Sequence, residues 1–248
     1  MLEQGDTMVD IPEWIVTDLD ETLLRNDNTV SDFTLSTLAR IRAAGSKFGI
    51  ATTRYQSFAQ RYIDMLKPDA LVVCGGAIGK RQDEIVHYQT MDPTLLDLLW
   101  EELEKLPVGR PTLIDSSQGR FGDKRSVERP FPHDAYQLIL WLESALPSTF
   151  IEYWSQHFLI TTLWLPGLYR IASFKANKLD ALKAILSGVD PTHVLTFGDD
   201  PMDAGMLAHF QGVAVANARV EAREAARHHT SSNEEDGVAR WIAEQFLS

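Results

Sequence analysis

The chain has 248 residues, of which 44% are hydrophobic and 23% charged, the composition of an ordinary globular protein with one large core or two small ones. Its 35 acidic and 23 basic residues give a net charge of −12, which argues against a general nucleic-acid-binding protein because such proteins need a basic face. A phosphorylated substrate is still possible, since a divalent cation can reverse the sign of a local site.

The composition also bears on the compartment. Cys74 is the single cysteine, so an intrachain disulfide is impossible and a reducing compartment is favoured. The first ten residues are polar and acidic, unlike a secretory signal. The most apolar stretch, residues 158–169, is too short to span a bilayer and contains Pro166 and Gly167. We therefore expect a cytoplasmic protein with no membrane partner.

The first 79 residues alternate between predicted strands and helices. Apolar, β-branched runs predict strands at Trp14–Thr17, Lys47–Ala51 and Ala70–Val73. A helix begins after Ser31 as N-cap and ends at Gly45, and a second is predicted at about 57–66. This alternation is typical of a parallel sheet with helices on its faces.

The middle of the chain has a different pattern. Candidate strands lie at 85–89, 112–114, 150–154, 158–163 and 169–174. Helical patterns occur at about 93–106 and 134–146, and residues 118–132, rich in Gly, Arg and Asp, predict a loop. Strands that follow strands with few crossover helices indicate an antiparallel α+β module.

After residue 174 the alternation returns. The patterns predict helices at about 178–186, 203–210, 220–227 and Gly237–Phe246, with strands at 193–197 and 212–216. The sequence therefore predicts an α/β fold. Residues 1–79 and 174–248 form a Rossmann-like parallel-sheet core, and residues 80–173 form an inserted α+β cap domain.

Two carboxylates follow the first predicted strand, in the segment Asp18-Leu-Asp20-Glu-Thr22. A spacing of two at a strand end can place both on the same side. One can then act as a nucleophile while the other exchanges a proton with the leaving oxygen. An EF-hand calcium loop would need Gly at Leu23 and Glu at Thr29, so it is excluded. A solvated turn with two chance acids stays open on this motif alone.

The second predicted strand ends in Thr52, Thr53 and Arg54. A hydroxyl there could donate a hydrogen bond to a phosphoryl oxygen, and Arg54 could pair with an anionic substrate. Thr53 and Arg54 are thus candidate substrate-binding residues. The alternative is a helix N-cap formed by Thr52 or Thr53.

Acidic residues also follow the predicted strand 193–197, at Asp199, Asp200 and Asp203. Oxygen ligands of this kind suit a hard cation such as Mg²⁺, for which Asp18 and Asp199 would supply carboxylates. The alternative, N-capping of the next helix by Asp200 or a neighbour, is compatible with the same pattern.

Lys178 opens a predicted helix in the segment Ala176-Asn-Lys178-Leu-Asp. An ammonium group near clustered carboxylates would reduce their repulsion and bind phosphoryl oxygens. Taken alone, a lysine at this place would be an ordinary surface residue, so its assignment depends on the other three motifs.

Together these segments resemble the haloacid dehalogenase (HAD) superfamily, and specifically its Cof-type phosphatases of subfamily IIB, which carry a large inserted α/β cap. The matching motifs, in order, are Asp18-Leu-Asp20-Glu-Thr22, Thr52, Lys178, and Gly198-Asp199 with Asp203. Residues 213–218 and 230–238 match two further hallmarks. The resemblance covers about residues 12–79 and 173–246.

The resemblance implies a Mg²⁺-dependent phosphatase that acts on a small phosphorylated metabolite, such as a phosphosugar. Asp18 would attack phosphorus, Asp20 would be the general acid and base, and Thr52 and Lys178 would hold the phosphoryl group. Mg²⁺ would be bound by the carboxylates of Asp18 and Asp199 and the backbone carbonyl of Asp20, with support from Asp203.

Three positions depart from the family pattern. Glu21 and Thr53 stand where the family usually has Gly, and Met202 stands where it usually has Asn. Glu21 adds negative charge near the entrance, Thr53 restricts a loop, and Met202 removes an amide that supports the metal or phosphate in relatives. None of these changes removes a residue to which a catalytic role is assigned.

Other functions remain open. A phosphomutase or phosphotransferase on the same core would pass the phosphoryl group to a sugar hydroxyl instead of water, and a non-catalytic binding protein could retain the fold. A P-loop is excluded, because Cys74 and Arg81 occupy positions where it needs Gly and Ser or Thr.

Overall fold

The computed structural model describes residues 11–106, 113–122, 134–163 and 165–247. Its larger sheet contains β1 (Trp14–Thr17), β2 (Lys47–Ala51), β3 (Ala70–Val73), β4 (Ile78–Arg81), β5 (Glu84–Tyr88), β11 (Val194–Gly198), β12 (Gln211–Ala214) and β13 (His228–His229). Their order across the sheet is β13-β12-β11-β1-β2-β3-β4-β5. All pairs are parallel except β3–β4 and β4–β5.

Helices cover both faces of this sheet. Alternate side chains of a buried strand point to opposite faces, so each face presents apolar side chains that need cover. Ile15 of β1 lies in one apolar cluster, while Trp14 and Val16 lie in another. The first cluster includes residues of α1 (Asp32–Ala43), α2 (Gln56–Leu66), α7 (Val220–Ala225) and α8 (Gly237–Phe246). The second includes residues of α5 (Lys178–Ile185) and α6 (Ala204–His209).

The chain between β5 and α5 forms a separate layer. Its antiparallel sheet contains β6 (Leu113–Ser116), β7 (Gly119–Gly122), β8 (Gln137–Trp141), β9 (Leu159–Thr162) and β10 (Leu168–Ala172), in the order β7-β6-β8-β10-β9. The helices α3 (Pro93–Leu103) and α4 (Ser148–Trp154) pack on it through an apolar cluster of their own. The predicted α/β fold, with a Rossmann-like core and an α+β cap, is confirmed.

Two predictions of secondary structure in the cap are wrong. The segment 134–146, predicted as a helix, contains the strand Gln137–Trp141, whose Leu138 and Leu140 point into the cap cluster. The segment 150–154, predicted as a strand, belongs to α4, because Phe150 and Trp154 are one helical turn apart and are buried together. Strand β7 also lies within the segment 118–132 that was predicted as a loop; residues 123–132 lie outside the described residues.

The core sheet extends further along the chain than the sequence predicts. Strands β4 and β5 form an antiparallel hairpin at its edge, although residues 80–88 were assigned to the insert. We propose that the cap comprises about residues 89–172. Within the described residues, no helix combines the length and apolar composition that crossing a membrane requires.

Candidate active site

The predicted site residues lie where three parallel strands end. Asp18 follows β1, Thr52 follows β2 and Asp199 follows β11, and these strands are neighbours in the sheet. Since the carboxyl ends of parallel strands meet at one edge, this is where an open α/β sheet binds its ligand. Lys178 reaches the same edge from the first residue of α5.

Lys178 connects two of the acidic residues. Its Nζ lies 2.9 Å from Oδ1 of Asp18 and 2.6 Å from Oδ1 of Asp203, and all three side chains are buried. Burial alone would lower the pKa of Lys178, but the two carboxylates raise it above its ordinary value, so the lysine is charged. The expectation of an ammonium group among carboxylates matches this geometry.

Three carboxylates converge beside this lysine. Asp18, Asp199 and Asp203 each offer an oxygen, and these oxygens lie within 4.8 Å of one another. Burial raises the pKa of Asp18 to about 7, although the attraction of Lys178 opposes it. Burial, with repulsion from Asp18 and Asp203, raises the pKa of Asp199 to about 9. One lysine therefore does not neutralise the cluster.

The donor set fits a divalent cation. Both oxygens of Asp203 are engaged, Oδ1 by Lys178 and Oδ2 by the backbone N–H groups of Asp199 and Asp200 at 3.1 Å. Oδ1 of Asp199 accepts a hydrogen bond from Thr22 at 2.5 Å. Among the described residues, the contacts of Asp18 with Lys178 and of Asp199 with Thr22 are made through Oδ1, and no donor contacts either Oδ2. These two hard oxygens suit Mg²⁺, while the contacts of Asp203 suit a supporting role.

Asp20 is not part of the carboxylate cluster, and its side chain contacts Arg54. The guanidinium donates from Nε to Oδ2 at 2.8 Å and from Nη2 to Oδ1 at 2.5 Å, and it stacks on the ring of Tyr62. The carboxylate of Asp20 is therefore not a metal ligand in this arrangement. Its backbone carbonyl, which the family resemblance assigns to the metal, stays a prediction.

The threonines after β2 have different surroundings. Thr52 is fully buried and its Oγ1 accepts from the backbone N–H of Arg54 at 3.2 Å, whereas Thr53 lines the cavity. Neither caps a helix, because α2 has Tyr55 at its N-cap. The N-cap alternative does hold for Asp200, whose Oδ1 accepts from the backbone N–H of Met202 at 3.0 Å.

A cavity of about 620 Å³ lies between the core and the cap. Its core wall contains all the acidic residues of the site except the fully buried Asp203. Of the described cap residues, Gln137, Ile139, Leu163 and Arg170 line the cavity. In β8 and β10 these alternate with residues that pack into the cap cluster, so one face of the cap sheet covers the site.

A family model for haloacid dehalogenase-like hydrolases matches residues 15–125 and 123–242 of this chain. The chain belongs to the haloacid dehalogenase-like hydrolases.

Relatives of this HAD-like hydrolase are phosphatases. The chain is 26% identical to the 5-amino-6-(5-phospho-D-ribitylamino)uracil phosphatase YitU of Bacillus subtilis, over 95% of this chain and 98% of the relative. Its fold is similar to that of the phosphatase BT1666 from Bacteroides thetaiotaomicron (TM-score 0.80, 19% identity, 100% and 99% covered). It is also similar to the HAD subclass IIB sugar phosphatase BT4131 (TM-score 0.76, 18% identity, 94% and 98% covered).

These comparisons confirm the resemblance to Cof-type HAD phosphatases of subclass IIB and the prediction of a phosphatase-type hydrolase. One departure from the family pattern now has a structural context. Glu21 has a φ of 53°, in the left-handed region where Gly is favoured, and its carbonyl accepts from Nδ2 of Asn217 at 2.7 Å. Glu21 therefore adopts the left-handed backbone conformation that Gly favours, at a cost in free energy.

The sequence did not single out the cap residues of the cavity. Gln137 was assigned to a helix, and Arg170 was read only as part of a strand. A signal for Arg170 was present, because an arginine inside the apolar run Leu168–Ala172 contradicts a fully buried strand unless it has a specific partner.

Proposed function

We propose that this hydrolase cleaves small phosphomonoesters with Mg²⁺ through a phosphoryl-aspartate on Asp18. The observation that carries the proposal is the buried cluster of Asp18, Lys178, Asp199 and Asp203 at one sheet edge, beside a cavity between core and cap. Phosphoryl transfer needs this combination of an in-line nucleophile and fixed positive charge near the equatorial oxygens.

In the first step a carboxylate oxygen of Asp18 attacks phosphorus. The bond between phosphorus and the ester oxygen breaks, and its electron pair leaves with that oxygen, which takes a proton from Asp20. Lys178 holds Asp18 in place and offers its remaining N–H to a phosphoryl oxygen. Asp20 lies on the cavity wall, where Arg54 fixes its orientation through both oxygens, so one of these hydrogen bonds must break before Asp20 can transfer a proton.

In the second step water attacks the phosphorus of the phosphoryl-aspartate. Asp20 accepts a proton from that water, the acyl–phosphate bond breaks, and Asp18 returns as a carboxylate while inorganic phosphate leaves. The same residue thus acts first as an acid and then as a base, which the two half-reactions require. The cap residues over the cavity would limit the access of bulk water to the acyl phosphate.

Mg²⁺ fits the free oxygens of Asp18 and Asp199, and when bound it would offset the negative charge of the phosphoryl group and the two carboxylates. Asp203 would support these two ligands, because it anchors Lys178 and the loop that carries Asp199. The fully buried Thr52 would contribute through the backbone turn that it holds, and Thr53 and Arg54 would contact the substrate from the wall.

The cavity supports a substrate of the size of a phosphosugar. A volume of about 620 Å³ lies within the range of small-molecule sites, and the apolar Ile139 and Leu163 can cover a carbon skeleton. Relatives named as phosphatases of phosphorylated metabolites agree with this class. A reducing, cytosolic location with no nucleic-acid partner fits the single cysteine and the net charge of −12.

Substitution of the nucleophile tests the proposal. Asp18→Asn is expected to lower Mg²⁺-dependent phosphate release from a panel of phosphorylated metabolites about 10³-fold or more, with the circular dichroism spectrum unchanged. Asp64→Asn, on the exposed face of α2, is the control and should keep full activity. When the reaction is quenched in acid, wild-type protein should carry bound phosphate that hydroxylamine releases. The Asp18→Asn variant should carry none.

Retained activity in Asp18→Asn would contradict the assignment. Phosphate release by the wild type without an added acceptor separates a phosphatase from a phosphotransferase, which would need a sugar hydroxyl. Complete lack of turnover by the wild type across the panel would favour a non-catalytic binding protein.

A further inference from the structure

Arg170 lies in the wall of the cavity with its guanidinium only partly satisfied. Its Nε donates to Oε1 of Gln137 at 2.6 Å, and its Nη2 donates to the carbonyl oxygens of Cys74 at 2.7 Å and Ala176 at 3.1 Å. The residue is 1% exposed, and Nη1 has no hydrogen-bond partner among the described residues. A buried donor without a partner is costly, so this nitrogen calls for an explanation.

The positive charge of Arg170 also has no close counter-charge among the described residues, although Asp115 attracts it from beyond ion-pair distance. Each of the other cationic side chains in the cavity wall has a carboxylate within ion-pair distance; the pairs are Arg25–Asp236, Arg54–Asp20, Lys178–Asp18 and Arg219–Asp200. Within the described part of the chain, no carboxylate lies that close to Arg170. Its link to Asp115 runs through Gln137, whose Nε2 donates to that carboxylate at 2.7 Å.

The core is shaped to hold this guanidinium. Gly75 has a φ of 62°, and a Cβ built on it would lie 2.8 Å from Cζ of Arg170. The absence of a side chain at Gly75 therefore leaves the space that the guanidinium fills. With Gln137 on one edge and two carbonyl oxygens on another, the side chain is fixed before any ligand binds, which reduces the entropy cost of binding.

We propose that Arg170 binds an anionic group on the leaving-group side of the substrate, so that the preferred phosphomonoesters carry a second anionic group. An anion is the partner that Nη1 and the unpaired charge both lack. The inference rests on the proposed phosphatase function and adds to it the chemical class of the leaving group. Burial lowers the pKa of Arg170 to about 10, so the side chain still carries its charge at neutral pH.

The second anion is assigned to the leaving group because of where Arg170 comes from. The phosphoryl group is met by residues of the core strand ends and by Lys178, whereas Arg170 belongs to the cap strand β10. Ile139 and Leu163 share the cap wall with it and provide an apolar surface for the carbon chain between the two anions. A carboxylate and a second phosphate have the shared chemistry, and the test separates them.

The first measurement uses the wild type and matched substrates. 6-Phosphogluconate and sorbitol 6-phosphate differ only in a carboxylate or a hydroxymethyl group at carbon 1, and sorbitol 1,6-bisphosphate places a phosphate there. We expect kcat/KM to be at least about tenfold higher for 6-phosphogluconate, for sorbitol 1,6-bisphosphate, or for both, than for sorbitol 6-phosphate. A wild type that hydrolyses sorbitol 6-phosphate as well as the other two overturns the proposal.

The second measurement uses Arg170→Met and Arg170→Lys. Arg170→Met should lower the preference for a second anionic group about tenfold or more, while kcat for sorbitol 6-phosphate changes little. Arg170→Lys should restore part of this preference, because it keeps the charge without the planar guanidinium. Arg42→Met is the matched control: Arg42 also bonds a backbone carbonyl, that of Leu66, and a carboxylate, but it lies outside the cavity. Its substrate preference should be unchanged.

Arg170 also ties the cap to the core, and the outcomes separate that role from binding. If Arg170→Met lowers kcat/KM equally for all three substrates, the arginine is only a structural tie and the proposal is wrong. If the variant does not fold, the wild-type preference alone decides. Failure of Asp18→Asn to lose activity would contradict the proposed function, whereas an unchanged preference in an active Arg170→Met would contradict only this inference.

Discussion

The two walls of the cavity are built differently. On the core wall, acidic and basic side chains contact one another directly, as in Lys178 with Asp18 and Arg54 with Asp20. The cap wall combines the apolar Ile139 and Leu163 with the buried Arg170, which contacts Gln137 and has no carboxylate at ion-pair distance among the described residues. Under the proposed function, the core wall would carry out the reaction shared by different phosphomonoesters, and the cap wall would distinguish among them.

The largest expected effect comes from removing Lys178, which contacts two carboxylates of the core. Lys178→Met leaves Asp18 and Asp203 buried without their cation, so we expect activity to fall about 10³-fold and the free energy of unfolding to fall by about 3–5 kcal/mol. Steady-state kinetics and urea denaturation measure the two effects. A stable variant with near-normal kcat would contradict the network described here.

A divalent cation should strengthen the core wall. Mg²⁺ at about 100 times its Kd should add about 2.7 kcal/mol of stability, which for a chain of this length raises Tm by roughly 5–10 °C. Differential scanning fluorimetry with Mg²⁺ and with EDTA measures the shift. Asp199→Asn should reduce it, because a free carboxylate oxygen is lost, whereas Asp64→Asn should not. An equal shift in all three proteins would exclude Asp199 as a ligand.

The link between Arg54 and Asp20 gives a smaller effect. Arg54→Ala frees the Asp20 carboxylate from its two hydrogen bonds, so we expect kcat/KM to fall about tenfold through loss of orientation. Arg61→Ala is the control, since Arg61 also stacks on Tyr62 but does not contact Asp20. If both variants lose activity equally, the effect comes from Tyr62 packing and not from Asp20.

The smallest expected change tests the fit between the walls. Gly75→Ala forces a Cβ against the Arg170 guanidinium, so the preference for a second anion should weaken a few-fold, with about 1 kcal/mol of stability lost to the positive φ. Gly188→Ala has a positive φ but no atom within 4 Å of the new Cβ, so it should lose stability without altering the preference.

The sequence predicts the core wall well because its features are local. Asp18 and Asp199 stand directly after apolar runs, and strand order in a parallel sheet then brings them together. Lys178, which the family resemblance assigns to the same site, contacts Asp18 and Asp203. The pairing of Asp20 with Arg54 could not be predicted, since it depends on the direction of two side chains across the cavity.

The cap was predicted less well for physical reasons. Gln137–Trp141 is an apolar run that suits a buried strand or a buried helix, and only pairing with β6 and β10 decides between them. In α4 the aromatic residues favour a strand locally, but burial of Phe150 and Trp154 on one face overrides that preference. The partners of Arg170 lie on β8, after β3 and before α5, so no local pattern contains them.

The chain leaves the core for the cap and returns to it at almost the same point. The N–H of Gln89 donates to the carbonyl of Ala77 at 2.8 Å, and the adjacent Gly76 packs so closely on Asn177 that a Cβ would lie 2.1 Å from its carbonyl carbon. The two ends of the insertion are therefore already side by side. A short linker could join them at little entropic cost, so caps of other shapes could be grafted onto this catalytic scaffold without disturbing its strand order.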